Sequence, residues 1–402
     1  MRVVINKLDN FGRGITHINN KICFVIDALP LEDVDIEIIY ENKKYMEARV
    51  INYYKKSPFR VDEKCKYYSL CGGCDLLHLL FEKENEYKEN KVRELVHKFH
   101  INTEVKRIVF LDEFFYRNKL VLHKDGRNIG YYQKKSNSIV SIDGCLLVNE
   151  KINNLIKSVR NIDFIHGEIL IRTSNDLEYS MISCSGNDNF DFSLLSMFDV
   201  IEYNNKIVTE DKYIITNVGI KNYYLSLSSF FQVNTKLTEK LYDEVYNNIK
   251  LLQPKTVLDL YCGTGTIGIY ISDLVDSVIG IDNNPSNYYD AINNKKLNQS
   301  NNVSFILDSV ENVIDNFQDV DCIIVDPPRK GLDKKSLFEI NRINPNSIIY
   351  VSCDLFTLMR DLNYLQKNYT IKYIKPFNMF PRTYHVESVS VLERKGIEKQ
   401  RF

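Results

Sequence analysis

Tryptophan is absent from this chain of 402 residues, and no apolar run reaches the ~18–20 residues that a membrane-spanning helix needs. A helical membrane protein is therefore not expected. An excess of one charge is also lacking. The 52 Lys+Arg residues face 53 Asp+Glu, for a formal net charge of −1. Nucleic-acid proteins are often strongly basic, so any such partner must be met by local patches. Met1 to Asn10 carries no signal-peptide stretch, and a cytoplasmic chain is expected. Compositional bias is missing as well. Hydrophobic residues make up 44% and charged residues 26%, which excludes disorder and collagen-like or low-complexity architecture as the main state.

What is present begins with cysteine. Nine cysteines in a cytoplasmic chain do not suggest a disulfide framework, and an odd number cannot all pair internally. Cys65, Cys71 and Cys74 cluster, with Gly72 and Gly73 between the last two. Cys145 follows in an Asp-Gly-Cys turn. On spacing alone, these thiolates suit zinc or an iron–sulfur cluster equally. Cys23, Cys184, Cys262 and Cys322 read as buried apolar residues.

The length suggests two to four domains. Arg2–Lys7, Lys21–Ile26 and Val34–Tyr40 read as short strands, which suggests a small β-barrel over residues 1–52. Residues 53–225 read as a central unit. It holds the cysteines, a charged helical pattern over about 76–107 that is free to pack on the following domain, and mixed strands. From residue 226 to 402, strands alternate with helices. Thr256–Leu260, Ser277–Ile281, Val303–Leu307, Asp321–Val325, Ser347–Ser352 and Ser388–Leu392 are the strands expected there. The pattern implies a doubly wound α/β sheet.

Gly263, Gly265 and Gly268 form a GxGxxG directly after the first of these strands. Such a loop lets a backbone approach a ligand closely. The next strand ends on Asp282, placed to accept hydrogen bonds from ribose hydroxyls. A nicotinamide dinucleotide and S-adenosylmethionine compete for this pattern. Asp259, just before the loop, would repel a pyrophosphate but suits a sulfonium and an ammonium. Asp308, after the third strand, is a candidate for adenine.

Two later motifs choose between chemistries. Asp326-Pro327-Pro328-Arg329-Lys330-Gly331 ends a strand at the open edge of the sheet. Amino-group methyltransferases commonly place an aromatic residue after the proline pair; arginine stands there here. Enzymes that methylate cytosine C5 commonly carry a cysteine where Pro328 stands. The next strand delivers Cys353, a candidate nucleophile. The final segment offers His385 and Glu387. Methylation at C5 of uracil needs one thiolate to add at C6 and one base to remove the C5 proton. Cys353 and Glu387 supply both.

With these residues in place, the chain resembles the RNA uracil-5-methyltransferases of the RumA/TrmA type, above all the iron–sulfur 23S rRNA enzymes. Phe230-Phe-Gln-Val-Asn234, Asp259-Leu-Tyr-Cys-Gly-Thr-Gly265, Asp326-Pro-Pro-Arg-Lys-Gly331, Val351-Ser-Cys353 and Phe380-Pro-x-Thr-x-His-Val-Glu387 carry the resemblance, in this order. It implies a class I methyltransferase domain behind an OB-like TRAM barrel and an iron–sulfur domain. It also implies Cys353 as nucleophile and Glu387 as base. Gln232, Tyr261, Thr266, Asp282, Asp308 and Asp326 are implied as contacts to S-adenosyl-L-methionine. Cys65, Cys71, Cys74 and Cys145 are implied as ligands of a [4Fe–4S] cluster. The implied substrate is a uridine of 23S rRNA, with tRNA as the nearest rival and an RNA-binding protein without catalysis behind it. The basic segment 55–66 and Lys134-Lys135 are candidate phosphate contacts, and a monomer is expected.

Overall fold

The computed structural model describes residues 1–134, 136–187 and 191–396. Lys135, one of the candidate phosphate contacts, lies outside the described residues.

The carboxyl-terminal half is built on an eight-stranded sheet. In spatial order its strands are Val303–Leu307, Ser277–Asp282, Thr256–Leu260, Cys322–Val325, Ser347–Ser352, Glu387–Arg394, Tyr369–Phe377 and Glu104–Val105. The first five run parallel, and an antiparallel hairpin closes them. This is the doubly wound order with a reversed final pair. Parallel strands are buried on both faces, so they read as continuous apolar runs. Ile323, Ile324, Val325, Ile348, Ile349 and Val351 are all fully buried. Helices on both sides supply two separate cores, one for each face of the sheet.

The chain order fixes where a site can form. The parallel strands end at Leu260, Asp282, Leu307, Val325 and Ser352, all on one edge of the sheet. Ser352 pairs with Ser388 across the antiparallel ladder. Cys353 and Glu387 are the next residues outward on each chain, so this register brings them to the same edge.

The first 55 residues form a second sheet, ordered Arg2–Val4, Asp33–Glu41, Tyr45–Lys55, Lys21–Ile26, Gly14–Ile18 and Lys7–Leu8. Its two edge strands are joined by only Asn6 and Ile5, so the sheet must curl back on itself like a barrel. The longest strand, Tyr45–Lys55, was not among those expected and continues past residue 52. A third sheet of seven strands spans Lys119–Ile207 and packs against helix Glu150–Arg160.

Helix Phe81–Lys98 bridges these parts. The expected helical pattern began at Leu76; the structure starts the helix at Phe81, because Leu76, Leu77 and Leu79 are buried in a turn. One face of the helix buries polar groups rather than apolar ones. Glu84, Asn85 and Lys88 are buried against residues 378–382. The Lys88 ammonium donates to Glu84 at 2.8 Å, to the Asn378 side chain at 2.6 Å and to the Phe380 carbonyl at 3.1 Å. Asn378 donates to Glu84 and Asn85 at 3.1 and 2.8 Å. Every member is satisfied, which is the condition under which a buried ion pair is tolerated.

Removing one member should therefore be costly. Lys88→Met leaves the buried Glu84 carboxylate with the longer ion pair to Arg382 at 3.4 Å and strips the Asn378 and Phe380 oxygens of their donor, a loss of roughly 3–5 kcal/mol. It should lower the urea midpoint markedly. A midpoint unchanged from wild type would show that the pair adds no stability.

Candidate active site

A cavity of about 550 Å3 opens at the carboxyl edge of the large sheet. Gln232, Tyr261, Thr266, Asp282, Asp326, Cys353 and Glu387 all line it. Of the residues expected at the site, Asp308 alone is not brought there. Its carboxylate turns back on its own backbone, accepting from Ser309 N at 2.7 Å and from the Asn312 side chain at 2.9 Å. Glu311, one helical turn further on, lines the cavity instead. Nothing in the spacing of the sequence signals that exchange.

The glycine loop forms one wall. Gly265 has φ +75°, and a Cβ there would lie 2.5 Å from the Phe305 ring. Only glycine meets both conditions. Tyr261, with φ +61°, also occupies the left-handed region. A non-glycine residue held there is strained and persists because its surroundings fix it. Asp282 is set by the loop: it accepts from Gly263 N at 3.0 Å, Asn284 N at 2.9 Å and the Asn287 side chain at 3.0 Å. Asn284 then caps helix Pro285–Leu297. Thr266 opens the next helix and shares a 2.8 Å hydrogen bond with the Tyr242 hydroxyl.

Asp259 lies fully buried beneath the loop. One oxygen accepts from Gly268 N at 3.2 Å; the other, Oδ1, has no partner among the described residues. Burial, with help from Asp326, pushes its carboxyl up to about 8.

Cys353 begins the turn into helix Leu355–Leu365, whose cap is Asp354. A helix start favours a thiolate. Burial and the carboxylates of Glu387 and Asp326 outweigh it and push the thiol up to about 12, against a smaller opposing pull from Arg329. Burial likewise raises Asp326, and burial together with Asp326 raises Glu387. Two carboxyls and a thiol thus share one dry space, and each disfavours charge on the others.

Sequence reasoning missed Tyr242, Phe230, Phe380, Asn284 and Asn287 as lining residues, and it gave His385 no role. Burial and the nearby cations Arg329 and Lys91 hold His385 neutral, its imidazole lowered to about 4. Its ring stacks on Tyr384 at 4.2 Å between centroids, and Tyr384 meets Phe11 of the amino-terminal sheet at 5.3 Å. That sheet therefore reaches the loop beside the cavity.

A second cavity lies in the central unit and is lined by Cys65, Cys71, Cys74 and Cys145. Gly73 N donates to Cys71 Sγ at 3.4 Å. Among the described residues, no three His, Cys, Asp or Glu side chains form a site for a single metal ion. The four thiols ring the cavity without closing on one point. Cys23, Cys184, Cys262 and Cys322 are buried, as expected of apolar packing residues. The basic segment is largely spoken for. Arg60 pairs with buried Glu32 at 2.6 Å, Lys64 with Glu113 at 3.0 Å and Lys66 with Asp143 at 2.7 Å. Lys134 stands 3.4 Å from Asp27. These contacts hold loops together.

A family profile for tRNA (uracil-5-)-methyltransferase matches residues 189–395, just over half of the chain. The chain belongs to this family. An uncharacterised RNA methyltransferase of Clostridium tetani is 31% identical over 97% of this chain and 95% of its own length. Another, from Halalkalibacterium halodurans, is 29% identical over 98% of this chain and 97% of its own. The crystal structure of the tRNA (uracil-54, C5)-methyltransferase of Pyrococcus abyssi with S-adenosyl-L-homocysteine is similar throughout. It covers 98% of this chain and 100% of its own, with 26% identity and a TM-score of 0.81. The fold is thus that of a class I methyltransferase with an amino-terminal β-sheet unit. The activity at family level is methylation of uracil C5 in RNA. Among the described residues, no helix is long and apolar enough to cross a membrane.

The buried Asp259 of this uracil methyltransferase should leave a mark on stability. The folded carboxyl keeps its proton up to about 8, whereas the ordinary value is 3.8. Between those values the unfolded chain binds fewer protons, so this residue lowers stability as pH rises. Asp259→Asn removes the effect. Its stability should gain on wild type across that window in denaturant titrations at several pH values. Parallel curves would contradict the assignment.

Proposed function

We propose that this enzyme transfers a methyl group from S-adenosyl-L-methionine to C5 of a uridine in 23S rRNA. The observation that carries the reading is one cavity in which Cys353, Asp326 and Glu387 face the glycine loop with Asp259 and Asp282. The donor fits that wall. Asp282 is already held by three donors and suits ribose hydroxyls. The unpartnered Asp259 Oδ1 suits a donor-side cation. Gln232, Tyr261 and Thr266 add further donor contacts.

The residues divide the chemistry between them. The Cys353 thiol loses its proton to solvent and the thiolate adds to C6 of uracil, which turns C5 into an enolate carbon that attacks the methyl sulfonium and releases S-adenosyl-L-homocysteine. Glu387 then takes the C5 proton, and the Cys353–C6 bond breaks to restore the ring. Asp326 is the remaining donor contact of this reading. Burial and the neighbouring carboxylates favour the neutral forms of Cys353 and Glu387. A bound sulfonium brings positive charge into the same space and favours both anions. Reaction is thereby tied to donor binding. The uridine must be unstacked for a side chain to reach C6. Phe11, Tyr384 and the curled amino-terminal sheet supply a surface for the RNA beside the cavity.

Cys65, Cys71, Cys74 and Cys145 would hold a [4Fe–4S] cluster. The four thiols line one cavity, and the resemblance to the iron–sulfur members of the family favours the cluster over zinc. Such a group would clamp the loop 65–74 to the turn at Cys145 and supply one-electron chemistry. A tRNA substrate is the second reading, favoured by the likeness to the Pyrococcus abyssi enzyme.

Methyl-labelled donor, offered with unmodified 23S rRNA and tRNA transcripts separately, tests the reading. Label in 5-methyluridine of 23S rRNA is expected. Label in tRNA alone would overturn the substrate and keep the mechanism. Cys353→Ala should abolish transfer. Glu387→Gln should transfer methyl yet fail to release, leaving RNA bound covalently to protein on a denaturing gel.

A further inference from the structure

The cysteine cavity contains a charge that the methylation chemistry does not use. Arg117 lines it together with the four thiols. The other lining side chains are tyrosines and aliphatic groups such as Tyr131, Ile142 and Leu147, and no carboxylate is among them. Arg117 Nε is shut off from solvent and meets no acceptor among the described residues. Its backbone is fixed on both sides. Arg117 N donates to the Leu147 carbonyl at 2.9 Å, and Asn149 N donates to the Arg117 carbonyl at 3.0 Å. A further bridge ties it to Asn234, two residues beyond Gln232.

A half-buried cation whose Nε is shut off from solvent and from any acceptor among the described residues favours an anion beside it. Guanidinium cannot escape by losing its proton. Four thiolates around a [4Fe–4S] core leave the whole unit negative, since they contribute four negative charges. We propose that Arg117 is the charge partner of that unit and raises its reduction potential. This rests on the cluster reading above. The reduced cluster carries one more negative charge than the oxidised one, so a fixed cation stabilises it more. The role is assigned to the guanidinium charge and not to side-chain bulk.

The test uses the full chain, purified and reconstituted without oxygen, and titrated with dithionite and mediators while the reduced cluster is read by paramagnetic resonance. Arg117→Met should lower the midpoint potential, and Arg117→Lys should stay closer to wild type. A midpoint in Arg117→Met equal to wild type would overturn the proposal. So would equal shifts in both variants. If Arg117→Met takes up no iron but Arg117→Lys takes up as much as wild type, the need for charge stands. If both fail alike, the residue serves packing and the proposal falls. A wild-type chain that holds no iron after reconstitution sinks the cluster reading itself, which the titration separates from failure of the Arg117 assignment.

Discussion

The buried contact between helix Phe81–Lys98 and residues 378–382 governs how the parts of this enzyme sit together. Arg382 is its centre. Its guanidinium donates to the Leu79 carbonyl at 2.7 Å and pairs with Glu84 and Glu113. Its amide donates to Glu84 at 2.9 Å. Its carbonyl accepts from the amides of Asp75 and Leu76, at 2.9 and 3.0 Å. Those two residues follow Cys74 directly. The loop that leads to Glu387 is therefore bonded to the loop that leads from the cysteines. Lys91 on the same helix donates to Asn10 and Tyr384, adding the amino-terminal sheet to the joint. Three sheets that share no strand are locked through one polar seam.

That seam explains why Glu387 can be rigid in a site that disfavours its charge. Glu387 opens a strand buried between two others and has no freedom to turn toward water. Its carboxyl and that of Asp326 are raised by burial, and the Cys353 thiol is raised by burial and by both of them. The cavity at rest is chemically quiet. A cationic donor beside those groups changes the balance, because each raised group gains most from a positive neighbour.

Much of this was legible in the chain itself. The apolar runs and GxGxxG locate the parallel strands, since strands buried on both faces leave continuous hydrophobic stretches. Cys353 and Glu387 are readable because each stands at a strand end on the ligand-binding edge. Asn234 caps helix Thr235–Leu252 through its side chain. What escaped has physical causes. Tyr45–Lys55 exposes apolar Ile51 and runs on through Asn52, Tyr53 and Tyr54, so its alternation breaks half-way along. Glu311 replaces Asp308 at the cavity through a single helical turn, and no spacing rule foretells which carboxylate turns inward. The polar seam is invisible in sequence because Lys88, Glu84 and Arg382 look like surface residues until the fold brings residues nearly three hundred positions apart into contact. Within the charge run 55–66, the sequence does not signal that Arg60, Lys64 and Lys66 each have a carboxylate partner.

Addition of Cys353 to C6 of uracil is the central claim, and one measurement reaches it directly. RNA in which the target uridine carries fluorine at C5 removes the proton that Glu387 must take. After methyl transfer the ring cannot be restored, so the Cys353–C6 bond should persist. Incubation with the methyl donor should give a protein–RNA adduct stable to denaturation, and mass analysis should place the nucleotide on the peptide containing Cys353. An enzyme that methylates the ordinary RNA yet forms no adduct with the fluorinated one, or forms it through another residue, would contradict the account.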